Sequence, residues 1–170
     1  MDTELALRFL RDHQPMPSDE NLSDELISTY DEVRKYFLKV PDKRCIELFL
    51  NSFGYIDGFG VYQLVDDVIL QFSKEDVIAD LIKALKSEHY SVRYWCAMIS
   101  ANYPCLELVS ALKTLLYEED AEIKTASLTS LSMCEFPETG EVLKEYIQHE
   151  SDEELIKDAK GILFEIEKIV

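Results

Sequence analysis

Leucines recur at a fixed interval of 31 residues, at Leu50, Leu81, Leu112 and Leu143, and several other columns keep step with them. Ile46, Val77 and Leu108 share that spacing, as do Val61, Val92 and Ile123, with Leu155 following after 32. Val65, Cys96, Ser127 and Ala159 form a column of mostly small residues, and Phe72, Tyr103, Cys134 and Ile166 form another. One residue inserted near Ser151 accounts for every interval of 32. A period of this length marks a chain built from repeated supersecondary units.

Each unit holds two helical patterns. Val77, Ile78, Leu81, Ile82 and Leu85 fall on one stripe at helical spacing. The polar run Lys86–His89 interrupts it, and Val92, Cys96, Ile99 and Tyr103 make a second stripe that Pro104 ends. Leu108, Leu112 and Leu115, the acidic turn Glu118-Glu119-Asp120, then Ile123, Ser127 and Leu131 repeat the arrangement. Val142, Leu143 and Tyr146 followed by Leu155, Ala159, Ile162 and Ile166 repeat it again. A lone hairpin leaves its apolar stripe wet, so successive hairpins must stack and share a core. The small-residue column is where neighbouring helices approach, and close packing there is expected to offset the helix cost of Gly161, about 1 kcal/mol relative to Ala.

The predicted architecture is therefore all-α: a right-handed α-α superhelix, a HEAT/armadillo-like solenoid of about four hairpins over residues 44–170. Residues 1–43 do not keep the period. Glu4–Arg11 and Asp24–Val40 read as two helices that cap the first repeat within the same single domain, separated by the turn-rich Gln14–Ser18. Asn51–Gly60 links the helices of the first hairpin. Ser73 with Asp76 and Ser151 with Glu154 have the spacing of reciprocal N-terminal caps.

Ser91-Val92-Arg93-Tyr94-Trp95-Cys96-Ala97 resembles the second-helix signature of HEAT repeats, and Glu122-Ile123-Lys124-Thr125-Ala126-Ser127 is a weaker copy. Tyr62 and Ile156 stand where the other repeats carry the basic residue, so the ladder of basic side chains usual in that family is incomplete. A narrower resemblance rests on Gly58–Val68 followed by Val92-Arg93-Tyr94-Trp95. In an acidic HEAT-like chain this combination resembles bacterial immunity proteins that neutralise polymorphic or contact-dependent toxins. The resemblance implies an inhibitor that occludes a basic toxin domain, such as a nuclease. The competing expectation is a HEAT-like scaffold or adaptor module.

The formal net charge is −17, with 17 acidic against 9 basic residues over 1–85 and 17 against 8 over 86–170. A surface of that sign repels nucleic acid and anionic membranes, whose binding needs Lys and Arg, and attracts a basic protein. The N-terminus carries no signal-peptide pattern and no apolar run approaches a membrane span, so the chain reads as cytoplasmic. Cys45, Cys96, Cys105 and Cys134 form no CxxC pair and sit within apolar helical patterns, as buried free thiols do.

Catalytic chemistry finds no foothold. His13, His89 and His149 are far apart, with no helical i, i+4 pair to ligate a metal. The glycines of Gly54-x-x-x-Gly58-x-Gly60 lack the GK[ST] of a phosphate loop and read as a turn with positive φ. Adjacent acids such as Asp66-Asp67 and Glu153-Glu154 point about 100° apart on a helix and form no acid–base couple. The chain is read as a non-enzyme without cofactor or metal.

The second helix of each repeat is taken as the binding face. Tyr62, Asp66 and Asp67 in the first repeat, Arg93 and Tyr94 in the second, and Glu122 in the third are the candidate protein-binding residues. Each shares a helix with the apolar stripe but lies mostly off it. Trp95 falls in the column of Leu64 and Ala126 and is expected in the core.

Overall fold

The computed structural model describes residues 1–118 and 120–169; Glu119 of the acidic turn lies outside them. Helices are the only regular elements among the described residues, with no strand. By packing, the chain divides into two units, Met1–Cys96 and Ala97–Val170.

The first unit opens with α1 (Thr3–Asp12) and α2 (Asp24–Lys39), then α3 (Cys45–Leu50), α4 (Asp66–Ile69) and α5 (Lys74–Ala84). The Asp2 carboxylate accepts from the Leu5 amide and the Ser23 hydroxyl from the Leu26 amide, satisfying N–H groups that open α1 and α2. The apolar stripes of these helices meet: α1 packs on α2 and α3, α2 on α4, and α3 on α5. Leu7, Leu10, Tyr30, Val33, Phe37, Phe49, Leu50 and Leu81 are buried between them. The two helices outside the period thus cover the first repeat.

That first repeat departs from the pattern. Its second helix is not a full stripe but a 3-10 turn, Tyr62–Val65, followed by the single turn of α4. The preceding linker enters it through a tight turn, in which the Asp57 carbonyl accepts from the amides of both Gly60 and Tyr62. The Ser73 cap also differs. Its hydroxyl donates to Asp76 Oδ2 instead of accepting from the backbone, because the Asp76 carboxylate is drawn to Lys43 at 2.6 Å.

α6 (Tyr90–Ser100) carries the boundary between the units. In the second unit α7 (Leu106–Leu115) packs on α8 (Ala121–Ser132) and on α9 (Pro137–His149), while α10 (Glu153–Ile169) packs on α8 and α9. First helices therefore meet first helices, and second helices meet second helices, as stacked hairpins require. Leu50, Leu81, Leu112 and Leu143 are all fully buried, as are Val65, Cys96, Ser127 and Ala159. The buried Ser127 hydroxyl is satisfied inside its own helix by the Ile123 carbonyl at 2.8 Å. Gly161 is exposed, with no atom within 4 Å of where a Cβ would stand, so close packing does not offset its helix cost.

One half-buried ionic cluster closes the last hairpin. Glu150 receives Lys124 at 2.6 Å and the Tyr146 hydroxyl at 2.8 Å on one oxygen, and the Ser151 and Asp152 amides on the other. Held this way, residues 150–152 shift the cap of α10 by one position. Asp152, not Ser151, accepts from the amides of Glu154 and Leu155. Burial alone would raise the Glu150 carboxyl, but Lys124, the Asp152 amide, Tyr146 and the Ser151 amide outweigh it and bring it down to about 2.

Two predictions follow from this packing. Leu112→Ala is expected to cost roughly 2–5 kcal/mol in denaturant unfolding, as for other filled core sites; a loss under about 1 kcal/mol would show that the register is wrong. Glu150 titrates lower in the folded than in the unfolded chain, so its stabilisation is complete above the ordinary glutamate value and is lost as pH falls through about 2. The stability gap between the native chain and Glu150→Gln should therefore narrow from pH 5 towards 2; a gap independent of pH would contradict the cluster.

Candidate protein-binding surface

The linker of the first repeat is built on contacts that its own sequence does not announce. The Ser52 carbonyl accepts from the Met16 amide at 2.9 Å, and the Tyr55 carbonyl from the Asp19 amide at 3.3 Å. Asp19 returns its carboxylate to the amides of Gly58, at 3.1 Å, and Asp57, at 3.4 Å. The segment after α1 is thus laced to the linker by four hydrogen bonds between residues 36 to 39 positions apart.

Behind the linker stands a train of aromatic rings. Tyr62 packs edge-to-face on Tyr30 (5.7 Å), Phe53 (5.7 Å) and Trp95 (6.1 Å). Trp95 stacks on Phe53 at 5.8 Å and donates its indole N–H to the Ile56 carbonyl at 3.1 Å. Tyr94 meets Trp95 at 5.5 Å and stacks with Tyr90, which meets Tyr55 at 6.0 Å. Gly58 lies on the face of the Tyr62 ring, where a Cβ would fall 2.8 Å from ring carbons, and its φ of +58° suits a residue without one. Gly54 is wedged more tightly still. A Cβ there would collide with the Pro17 carbonyl and stand 2.7 Å from the Met16 carbonyl and the Tyr62 hydroxyl.

This scaffold presents the linker outward. Tyr55 is 58% exposed, Ile56 53% and Phe59 59%. Ile56 and Phe59 both hold positive φ, 79° and 51°. Such angles cost side-chain-bearing residues of order 1–3 kcal/mol and persist only where surrounding contacts over-determine them.

Of the sequence candidates, Tyr62 is corrected: it is fully buried and offers nothing to a partner. The entering turn rotates it inward under Gly58, and burial, with the nearby Asp19 and Asp57 charges, pushes its phenol up to about 12 despite the Gly54 amide. Asp66 is half-buried and Asp67 exposed on α4; burial first, and Asp66 second, raise the Cys96 thiol. Arg93 is half-buried and donates to the Ser87 carbonyl at 2.8 Å, closing the turn between α5 and α6. Tyr94 is half-buried, and so is Trp95, which is part of the linker's backing and not sealed in the core. Glu122 is exposed on α8 in the second unit. The first unit brings Tyr94 and the buried Tyr62 against the same indole. Tyr55, Ile56 and Phe59 were not among the candidates, although apolar residues inside a glycine-spaced linker are the signal that would have found them.

Segments 12–33 and 45–73, the two that are laced together, contain eleven Asp and Glu and no Lys or Arg. Asp31 pairs with Arg34 and Lys35, and Glu47 with Lys83. Asp12, Glu20, Asp24, Glu25, Glu32, Asp57 and Asp67 are exposed. Among the described residues no group of three or more His, Cys, Asp or Glu is placed to hold a metal ion, and no helix is long and apolar enough to cross a membrane. All four cysteines are buried free thiols.

The family model for HEAT repeats matches residues 78–161, a little under half of the chain, and no curated protein matches it in sequence. The matched stretch is similar to HEAT repeats and begins after the first repeat. That is where the truncated second helix and the buried Tyr62 break the pattern.

If Gly54 is required for close approach, Gly54→Ala should cost about 1–3 kcal/mol by overpacking and shift the emission of Trp95 as the linker moves. Gly140→Ala in α9, whose Cβ would make ordinary contacts at 3.7 and 3.9 Å, should do neither. Equal effects from the two would contradict the wedge.

Proposed function

We propose that this HEAT-like chain is a protein-binding module that recognises a basic partner through the acidic, aromatic surface of its first unit. The observation that carries this reading is the exposed Tyr55–Phe59 linker, held in costly backbone angles amid carboxylates that have no cation among their own segments. Aromatic anchors rimmed by charge are how protein interfaces combine affinity with steering. Asp67 and Tyr94 belong to this surface, Asp66 and Arg93 support it from its edges, and Glu122 adds charge on the second unit. The finer reading, from the resemblance in sequence, is an immunity protein whose carboxylates stand in for the phosphates that a toxic nuclease would bind.

An adaptor role draws on a different observation. In the second unit a cleft of about 260 Å³ beside α10 is lined by Ile162, Ile166 and Ile169, with Met133 and Phe164 exposed.

Binding to a co-encoded basic toxin domain, measured by calorimetry, separates these readings. Glu20→Lys with Asp67→Lys should weaken binding at least about tenfold, mainly through slower association, and added salt should do the same. Glu153→Lys with Glu154→Lys, at the start of α10, should have much less effect. Equal losses would indicate diffuse attraction. A salt-independent complex lost on Phe164→Ala would replace this reading with the adaptor.

A further inference from the structure

We propose that the rings of Tyr55 and Phe59 form a docking site for arginine side chains carried by the basic partner; this rests on the reading above and names the group it recognises. Both rings are more than half exposed; the Tyr55 ring rests against Tyr90 at 6.0 Å, and Phe59 is carried on backbone held at a φ of +51°. Asp57 lies between them in sequence and is exposed, while Asp19 and Glu20 sit beside the linker that Asp19 holds. Ring faces next to carboxylates suit a guanidinium, which stacks flat on an aromatic while its N–H fork pairs with an acid. An ammonium gains from the charge but cannot stack in the same way.

Neither laced segment contains Lys or Arg, and among the described residues no cationic group lies over Tyr55 or Phe59. The second unit shows the alternative: exposed Phe164 is covered by its own Lys168 ammonium at 3.9 Å. The first unit keeps similar rings uncovered within a field of like charge, which is the complement of an arginine-bearing segment. Tyr90, Tyr94 and Trp95 lie behind Tyr55 and link the site to a spectroscopic probe.

Trp95 is the sole tryptophan, and its indole N–H is bonded to the linker at the Ile56 carbonyl, so its fluorescence follows the linker. The intact protein is titrated with an alternating arginine–glycine peptide and with its lysine–glycine counterpart of equal charge, affinities being measured by calorimetry. The arginine peptide should bind at least about fivefold more tightly, the range of one or two exposed cation–π contacts, and should change Trp95 emission. Tyr55→Leu with Phe59→Leu keeps the linker apolar but removes the rings, and should bring the arginine peptide to the lysine level with the circular dichroism unchanged. Equal affinities for the two peptides, both falling with salt, would overturn the arginine site while leaving the acidic surface of the previous reading intact. An arginine preference that survives the double substitution would overturn its placement. Binding by neither peptide at low salt would contradict both readings.

Discussion

The burial of one phenol ring, Tyr62, sets the shape of the first unit. Gly58 rests on its face, Tyr30, Phe53 and Trp95 meet it edge-on, and its hydroxyl abuts Gly54. Nothing larger than hydrogen fits at either glycine, so the linker can take only a path that skirts the ring. That path forces positive φ on Ile56 and Phe59, and with it the outward display of Tyr55, Ile56 and Phe59. The strain stays because Asp19 and the Trp95 indole hold the linker from two sides. The exposure of Tyr55, Ile56 and Phe59 thus follows from the packing beneath them.

Both units pair acidic residues with their own cations: in the first, Lys43 reaches Asp76, Lys83 reaches Glu47, and Arg44 reaches both Asp42 and Glu4. In the second unit Lys113 reaches Glu145, Lys124 reaches Glu150, and Lys144 reaches both Glu141 and Glu167. Exposed pairs of this kind add little stability, whereas the half-buried Lys124–Glu150–Tyr146 cluster organises the turn into α10. In the first unit segments 12–33 and 45–73 contain no Lys or Arg, and their Asp31 and Glu47 pair with Arg34, Lys35 and Lys83 from outside them.

Much of the fold was legible because a repeated burial environment demands a repeated residue. Leu50, Leu81, Leu112 and Leu143 are equivalent in sequence and equally buried, and the column Val65, Cys96, Ser127 and Ala159 is small because helices meet there. The site was legible only in part. Tyr62 stands in register with Arg93 and looks like a surface position, yet the Asp57 carbonyl turns it inward. The contacts that govern the linker come from Asp19, 38 or 39 residues earlier, a distance over which no periodic pattern runs. Ser151 looked like a cap from spacing alone, but the half-buried Glu150 holds its amide and passes the role to Asp152. Local pattern reports what a helix face needs, and long-range hydrogen bonds decide what a linker does.

The linker is rigid before any partner arrives, and amide hydrogen exchange at Gly58 in the free protein tests this most directly. That amide is bonded to the Asp19 carboxylate at 3.1 Å under a buried residue. It should exchange at least about a hundredfold more slowly than an unstructured amide, opening only with sub-global unfolding of the first unit. Exchange at the unstructured rate, while the amides of α2 and α5 stay protected, would show that the linker is loose in the free protein and that Tyr62 does not hold it.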